Sequence, residues 1–173
     1  MGFYRRYIYP RGMDWLMSRR RFGKMRERLL ADVGGDVVEI GFGTGLNLPH
    51  YPAAVRRVVA VDDNPSMKPL ARKRIERSPI PVEFHVVSAE SLPMPDGRFF
   101  FLDHGLCDDA KARRWQRFLN PIEKRLGGGC HLDRDVEALV AEQGFHFLRL
   151  RKFYMKDAPR FIGYMYEGVA VKR

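Results

Sequence analysis

A glycine-rich turn that follows an apolar run constrains this chain more than any other feature. Residues 37–47 read Val-Val-Glu-Ile-Gly-Phe-Gly-Thr-Gly-Leu-Asn. A strand that turns sharply needs residues without a Cβ, and such a turn lets a ligand lie against the backbone. The dinucleotide fingerprint G-x-G-x-x-G would need glycine at position 46, where this chain has Leu46. A tight turn without a ligand is the alternative interpretation.

An acidic residue ends the second apolar run. Val58-Val59-Ala60-Val61 leads into Asp62, 21 residues after Gly41, where α/β nucleotide-binding folds hold ribose hydroxyls. Acids at the ends of two strands favour a ligand with an amine and a ribose diol over a pyrophosphate. A helix and a third apolar run at 82–87 follow, and this alternation predicts a parallel sheet covered by helices.

Three segments resemble the first motifs of class I S-adenosylmethionine-dependent methyltransferases: VVEIGFGTGLNLPHYP, VVAVDDNPSM and HVVSAESLPMPDG. FFFLDHG and RWQRFLNPIEKRLGGGCHLDR resemble one branch of that superfamily, the bacterial methyltransferase-domain proteins and a group that associates with lipid membranes. The resemblance implies an α/β, Rossmann-like, doubly wound and mostly parallel sheet with an antiparallel C-terminal strand. It implies one methyltransferase-like domain over residues 1–173, with a cofactor-binding half at 36–97 and a C-terminal half at 98–173.

The resemblance also implies that S-adenosyl-L-methionine is the cofactor. The glycine turn would line its methionine part, Asp62 would take the ribose hydroxyls, and residues 88–90 would border the adenine. The family usually has a carboxylate where this chain has Ser88. The expected cofactor-binding residues are Glu39, Gly41, Gly43, Thr44, Gly45, Asn47, Asp62, Asp63, Ser88, Ala89 and Glu90.

The chain departs from the family after Gly97. There Pro95-Asp96-Gly97 runs straight into Arg98, and a strand–helix unit of about 30 residues is missing. We therefore expect about six strands instead of seven, near 36–41, 57–62, 82–87, 98–104, 145–152 and 162–171. The strand at 98–104 is expected to enter the vacant central place in the sheet, and the alternative is a gap there.

In the vacant central place, that strand would direct three candidate catalytic residues at the methyl donor: Asp103, His104 and Cys107. Asp103 and His104 could form a general-base pair. The alternative is that His104 has only a structural role, which is more common for a single histidine after a strand. His104 with Cys107, and Cys130 with His131, lack the spacing of a structural zinc site, so no metal is expected.

The N-terminal segment, residues 1–31, is basic and rich in aromatic residues. Residues 1–28 hold nine basic residues and two acids, in a chain of net charge +10. The segment is interpreted as a lid over the cofactor, with contact to an anionic membrane as an alternative. Nucleic acid is not expected, because no RNA-binding motif is present.

Two expectations concern the second half of the chain. A helix over 109–126 carries Trp115, Phe118, Leu119, Ile122 and Leu126 on one stripe, which is expected to face the core. Asp133 is expected to cap the helix that follows.

Composition sets the expected location. The apolar runs are far shorter than the ~20 residues that span a bilayer, and no apolar region follows the N-terminal arginines. Two cysteines fit a reducing cytoplasm. A cytoplasmic protein is expected, with a membrane-peripheral position as the further option.

Two functions follow from these features. The first is an S-adenosylmethionine-dependent methyltransferase acting on a small acceptor, and aromatic and methionine residues in the second half suggest a lipophilic one unless they form ordinary core. The second is a catalytically impaired or non-catalytic S-adenosylmethionine-binding descendant of the fold. The sequence leaves the acceptor, the methylated atom and the oligomeric state open.

Overall fold

The computed structural model describes residues 3–87, 97–126, 131–156 and 158–172. The helices in these ranges are α1 (Tyr9–Met17), α2 (Arg20–Leu30), α3 (Met67–Arg77), α4 (Ala110–Leu126) and α5 (Val136–Glu142). The strands are β1 (Gly35–Ile40), β2 (Val55–Asp62), β3 (Val82–Val86), β4 (Arg98–His104), β5 (Phe145–Tyr154) and β6 (Tyr164–Lys172). A π-helical turn (Tyr4–Ile8) precedes α1, and a 3-10 turn (Leu48–His50) follows the glycine turn.

The chain divides into two compact units, Met1–Met94 and Pro95–Arg173. In the first unit, β1, β2 and β3 form a parallel sheet in that order. β2 lies in the middle, and its Val58, Ala60 and Val61 are at most 1% exposed, as expected for a parallel strand covered on both faces. The carboxyl ends of β1 and β2 lie side by side, since Ile40 pairs with Val61. The residues that follow these two strands are therefore brought together.

The two N-terminal helices are held very differently. α2 is amphipathic and buries Phe22, Met25, Leu29 and Leu30. In α1, all of whose residues the structure describes, the buried residue is Pro10, and Trp15 is 65% exposed. Burial of apolar side chains therefore fixes α2 much more firmly than α1.

In the second unit, β4, β6 and β5 form an antiparallel sheet in that order. The middle strand carries small residues where its neighbours carry large ones. Gly168 pairs with Phe101 of β4, and Ala170 lies between Phe99 of β4 and Phe147 of β5. The rings of Phe101 and Phe147 approach to 6.2 Å between centroids. Small residues in β6 thus allow the aromatic side chains of the two outer strands to pack together.

The predicted fold class is confirmed: the chain is α/β, with a parallel sheet, an antiparallel C-terminal strand and six strands among the described residues. The expected position of β4 differs. Its hydrogen-bonded neighbour among the described strands is β6, and not the first strand of the parallel sheet. The reason lies in its sequence, because its phenylalanines match the small residues of β6. The single-domain assignment for 1–173 remains a prediction.

The prediction for α4 was wrong about which face is buried. Trp115, Phe118 and Ile122 are 56%, 68% and 51% exposed, whereas Gln116 and Asn120 are buried. The Gln116 side chain accepts a hydrogen bond from the Cys107 N–H (3.0 Å) and donates to the Gly105 carbonyl (2.8 Å). Asn120 accepts from the Leu132 N–H at 3.0 Å. The helix therefore turns its polar face inward to satisfy the backbone of neighbouring loops.

The cap of α5 also differs from the expectation. Its N-cap is Asp135, whose side chain accepts a hydrogen bond from the Ala138 N–H. Asp133 instead accepts a hydrogen bond from the Asn120 side chain at 2.7 Å. Both aspartates precede the same helix, so the sequence alone permitted either choice.

Candidate functional site

The glycine turn follows β1 and has an unusual backbone. Gly41, Gly43 and Gly45 have φ values of 69°, 59° and 77°, which favour glycine. A Cβ on Gly41 would meet no atom within 4 Å, and one on Gly43 would meet only a backbone oxygen at 3.9 Å. A Cβ on Gly45 would lie 3.1 Å from the ring of Phe42. The first two glycines therefore border open space, whereas the third permits packing.

Asp62 fixes the glycine turn to the end of β2. The residue is buried, and one carboxylate oxygen accepts a hydrogen bond from the Gly43 N–H at 2.7 Å. The other oxygen accepts from the Asn64 N–H at 2.8 Å. Each oxygen keeps further acceptor capacity, so the proposed contact with ribose hydroxyls stays a prediction. Asp63, beside it, is exposed.

Glu39 lies on β1, two residues before Gly41. Its carboxylate accepts hydrogen bonds from the Asn47 amide (2.7 Å) and the Tyr51 hydroxyl (2.8 Å). Burial raises the pKa of Glu39 to about 7, although both hydrogen bonds and the positive charge of Arg26 act in the opposite direction. Glu39 is thus an enclosed carboxyl group that titrates near neutral pH, and Asn47 holds it in place.

Asp14 of α1 contacts the same turn from another direction. Its carboxylate accepts a hydrogen bond from the Thr44 hydroxyl and a two-pronged ion pair from Arg74, at 2.8 and 3.2 Å. Arg74 also donates to the Thr44 carbonyl at 3.0 Å. Burial raises the pKa of Asp14, but the hydrogen bonds from Arg74 and Thr44 outweigh it and hold that pKa below its ordinary value. Asp14 is therefore ionised at neutral pH.

Sequence reasoning missed Asp14 and Arg74. They lie 30 positions on either side of Thr44. Asp14 is in the basic N-terminal segment and Arg74 is in the helix after the second apolar run, and neither pattern indicates a contact with the glycine turn. Asp14 is one of two acids among nine basic residues in the N-terminal segment. That imbalance was the available signal, since a carboxylate there has many possible cationic partners.

Two catalytic candidates lie at the carboxyl end of β4. The backbone N–H of His104 donates a hydrogen bond to the Asp103 carboxylate at 2.8 Å. The imidazole Nδ1 of His104 lies 3.2 Å from the same carboxylate oxygen. The hydrogen bond with Asp103 raises the pKa of His104, against the lowering effect of burial. The pair has the geometry of a carboxylate that orients an imidazole.

The third candidate, Cys107, is fully buried in the core of the second unit. Its thiol donates a hydrogen bond to the Asp109 carbonyl at 3.4 Å. An enclosed thiol of this kind is chemically inert in most proteins. Of the other predicted residues, Ser88, Ala89 and Glu90 lie outside the described residues, as does Cys130. Within the described ranges, no group of three or more His, Cys, Asp or Glu residues could hold a metal ion.

Comparison with known proteins relates the chain to methyltransferases. A family described as "Methyltransferase domain" matches residues 38–121. The chain is 27% identical to the thiol S-methyltransferase TMT1B of Rattus norvegicus, over 66% of this chain and 61% of the relative. It is 37% identical to the phosphatidylethanolamine N-methyltransferase of Cereibacter sphaeroides, over 49% of this chain and 46% of the relative. The matches thus span about half to three fifths of the length of these relatives.

Solved structures agree on the fold. The N-methyltransferase NodS of Bradyrhizobium japonicum WM9, in complex with S-adenosyl-L-homocysteine, has a TM-score of 0.63 at 12% identity, over 97% of this chain and 94% of that chain. Magnesium protoporphyrin IX methyltransferase of Synechocystis PCC 6803, with bound S-adenosylhomocysteine, has a TM-score of 0.63 at 15% identity, over 98% and 97%. In its fold, the chain therefore resembles these methyltransferases.

The residues of the first unit fit S-adenosylmethionine, the methyl donor whose product, S-adenosylhomocysteine, is bound in both of these solved structures. The backbone at Gly41 and Gly43 borders space that a side chain would fill. The carboxyl groups of Glu39 and Asp62 lie beside the turn and suit a ligand with an ammonium group and hydroxyls.

Proposed function

We propose that this protein binds S-adenosylmethionine at the glycine turn and transfers its methyl group to a small acceptor. One observation carries the proposal. Gly41 and Gly43 follow β1 with their backbone against open space, and Asp62 fixes that backbone through a 2.7 Å hydrogen bond. Such a turn is pre-organised for a ligand that lies against main-chain atoms.

The chemistry requires little from side chains. When bound, S-adenosylmethionine supplies a methyl group that its sulfonium already activates. The protein's residues would hold the cofactor, align the acceptor with it and exclude water, and proximity supplies much of the rate enhancement. Glu39, Asn47 and Asp62 would act in binding, with Thr44 and Asp63 beside them and residues 88–90 at the adenine end.

A base is needed only if the acceptor must lose a proton. We propose that His104, oriented by Asp103, would fill that role. Its pKa lies above the ordinary value of 6.5, so the neutral form that accepts a proton increases as pH rises through that raised value. Methyl transfer should rise over the same range, and His104→Gln should flatten the profile. The buried Cys107 thiol is a weaker candidate, because solvent and substrate do not reach it.

The relatives suggest which acceptors to try. One is named for a thiol and one for phosphatidylethanolamine, and a small lipophilic thiol or amine is the acceptor class that we propose. Transfer of a radiolabelled methyl group to an alkyl thiol and to phosphatidylethanolamine in detergent would test this choice. Labelling of neither, under conditions where the cofactor binds, would count against it.

Cofactor binding is the primary test. Isothermal titration with S-adenosylmethionine and S-adenosylhomocysteine should show binding by the unaltered chain. Asp62→Ala should weaken it by about 1–3 kcal/mol, because the hydrogen bond to the Gly43 N–H and the proposed hydrogen bonds to the ribose hydroxyls are lost. Asp36→Asn, at the opposite end of β1, is the matched control and should bind normally. Unchanged affinity of a folded Asp62→Ala protein would contradict the assignment.

A cofactor-binding protein without methyl transfer is the second candidate. The junction Gly97-Arg98 favours it, because the sequence there predicts the absence of a strand–helix unit. The match to the rat relative covers 150 residues but takes up 66% of this 173-residue chain, about 114 residues. The relative thus has residues within the match that this chain lacks. Binding without turnover on any acceptor class would support this candidate.

We also propose that the N-terminal segment, residues 1–28, rests on an anionic membrane surface, so that a cytoplasmic protein is peripheral to the bilayer. In its described part, Phe3 and Trp15 are 70% and 65% exposed, next to the exposed Arg11 and Arg19. Aromatic and basic side chains on one segment are typical of interfacial helices. No helix in the described ranges is long and apolar enough to cross a bilayer.

Vesicle sedimentation tests the membrane proposal. In low salt the protein should sediment with anionic vesicles and be released as salt screens the charges. Replacing Arg19 and Arg20 by Gln should reduce binding. Replacing the exposed Lys73 and Arg77 of α3 removes the same charge elsewhere and should have less effect. Equal recovery with neutral and anionic vesicles would favour a lid without membrane contact.

A further inference from the structure

Helix α1 is attached to the first unit in part by polar contacts. Of its described residues Pro10 is the buried one, and a helix of nine residues is not stable by itself in water. Its C-terminal end is met by Arg26 of α2, which donates to the Met17 carbonyl at 2.9 Å. A further polar attachment of α1 to other elements is made by the Asp14 carboxylate.

Asp14 joins α1 to two elements at once. It accepts from the Thr44 hydroxyl in the glycine turn and takes a two-pronged ion pair from Arg74 of α3. Arg74 closes the arrangement by donating to the Thr44 carbonyl at 3.0 Å. We call these three residues the Asp14 latch.

The latch acts on the part of the turn that borders the ligand space. Thr44 is 6% exposed and lies between Gly43, whose N–H is held by Asp62, and Gly45, which packs on Phe42. Its carbonyl and hydroxyl are thus both fixed from the side of α1 and α3. Partly buried, charge-assisted hydrogen bonds of this kind are stronger than exposed ion pairs.

We propose that Asp14 is a positioning residue of the cofactor site, which couples the docking of α1 to the conformation of the glycine turn. This inference rests on the proposed binding of S-adenosylmethionine at that turn. A ligand that orders the turn should stabilise the docked α1, and a docked α1 should raise affinity for the ligand by the same factor, because such coupling is reciprocal. Asp14 does this without touching the ligand.

Three variants separate positioning from general stability: Asp14→Asn, Arg74→Gln and the double variant. Each single variant should weaken binding of S-adenosylhomocysteine about tenfold, a typical loss for one charge-assisted contact. The double variant should lose little more than either single one, because both remove the same latch. Asp36→Asn is the matched control, since Asp36 is also a carboxylate paired with arginines, Arg56 and Arg57, but at the other end of β1.

Hydrogen exchange of residues 9–17 distinguishes the positioning role from a merely structural one. If Asp14 were only structural, ligand binding would not change the exchange rates of the α1 amides. In the unaltered protein, S-adenosylhomocysteine should slow exchange in α1, and this effect should vanish in Asp14→Asn while the control keeps it. Normal affinity in the variants, additive losses in the double variant, or ligand-independent exchange in α1 would each overturn the latch. If the unaltered protein binds no cofactor, the proposed function fails and the latch fails with it.

Discussion

At the residue scale, the three glycines of the turn have two different roles. Gly43 borders open space, whereas Gly45 leaves room for the ring of Phe42, which would lie 3.1 Å from a Cβ at that position. We expect Gly43→Val to abolish cofactor binding in a protein that still folds, and Gly45→Ala to lower the unfolding temperature. Calorimetry and titration of both variants would separate the roles.

Backbone strain needs its own control, because both positions have positive φ. Gly144, which lies in the second unit, has a φ of 80°. A Cβ at this position would lie 4.0 Å from the nearest atom, which belongs to Lys172. Gly144→Val therefore carries the same strain of about 1–2 kcal/mol and should leave cofactor affinity unchanged. A loss of binding in that variant would show that strain alone explains Gly43→Val.

Glu39 predicts how stability depends on pH. Its pKa is raised by burial from 4.5 to about 7, so between these values the folded state binds more protons than the unfolded state. The contribution of Glu39 is fully present below pH 4.5 and falls as pH rises through 7, by about 3 kcal/mol in total. Urea unfolding at several pH values should show this decline, and Glu39→Gln should remove it. Glu76→Gln on the exposed side of α3 should not.

The sequence could predict residues that belong to one continuous motif and could not predict their distant partners. Glu39 and Asp62 stand at fixed distances from the glycines, so a strand–turn pattern predicts their location. Asp14, Arg74 and Tyr51 reach the same turn through tertiary packing, and no local spacing encodes that approach.

At the element scale, α4 shows that an apolar stripe does not always mark the buried face. The stripe at Trp115 and Phe118 is exposed, while Gln116 is 1% exposed and satisfies two backbone groups. The periodicity predicted the helix correctly, but the choice of face depended on loop backbone that must be hydrogen-bonded. Sequence patterns do not reveal where such unpaired groups lie.

This arrangement makes the second unit sensitive to one polar side chain. Gln116→Ala leaves the Cys107 N–H and the Gly105 carbonyl without partners and should lower the free energy of unfolding by about 1–3 kcal/mol. Trp115→Ala, one position away on the exposed face, should change it by about 0.5 kcal/mol or less. Urea unfolding followed by circular dichroism compares them. A larger effect at Trp115 would show that the stripe is buried in solution.

At the scale of the whole molecule, alternating strands and helices were sufficient to predict the class of fold and the six strands found among the described residues. The place of β4 was harder. Three consecutive phenylalanines suit any strand covered on both faces, and the preference for β6 became visible only through Gly168 and Ala170 opposite them. Pairing between distant strands depends on the side chains of both strands. The sequence of β4 alone therefore does not identify its partner.

The strand–helix unit that the sequence predicts to be absent after Gly97 leads to a prediction about activity. We expect the unaltered chain to bind the cofactor and to show weak or absent methyl transfer, because such a unit would help form the acceptor side of the pocket. Inserting a strand–helix unit of about 30 residues after Gly97 should increase turnover. Robust turnover by the unaltered chain would refute the impairment, and would indicate that residues near Asp103 and His104 have rebuilt the acceptor site.

The exposure of both tryptophans determines what optical measurements on this protein can detect. Trp15 and Trp115 are each more than half exposed, one in each unit. From this exposure we expect their emission to resemble that of indole in water. Unfolding should therefore shift it little, and circular dichroism is the better probe of stability. The same exposure makes each indole a sensitive reporter of whatever covers it. In a Trp115→Phe protein, Trp15 is the remaining tryptophan. A blue shift of its emission would then report that a ligand, a membrane or another surface covers α1.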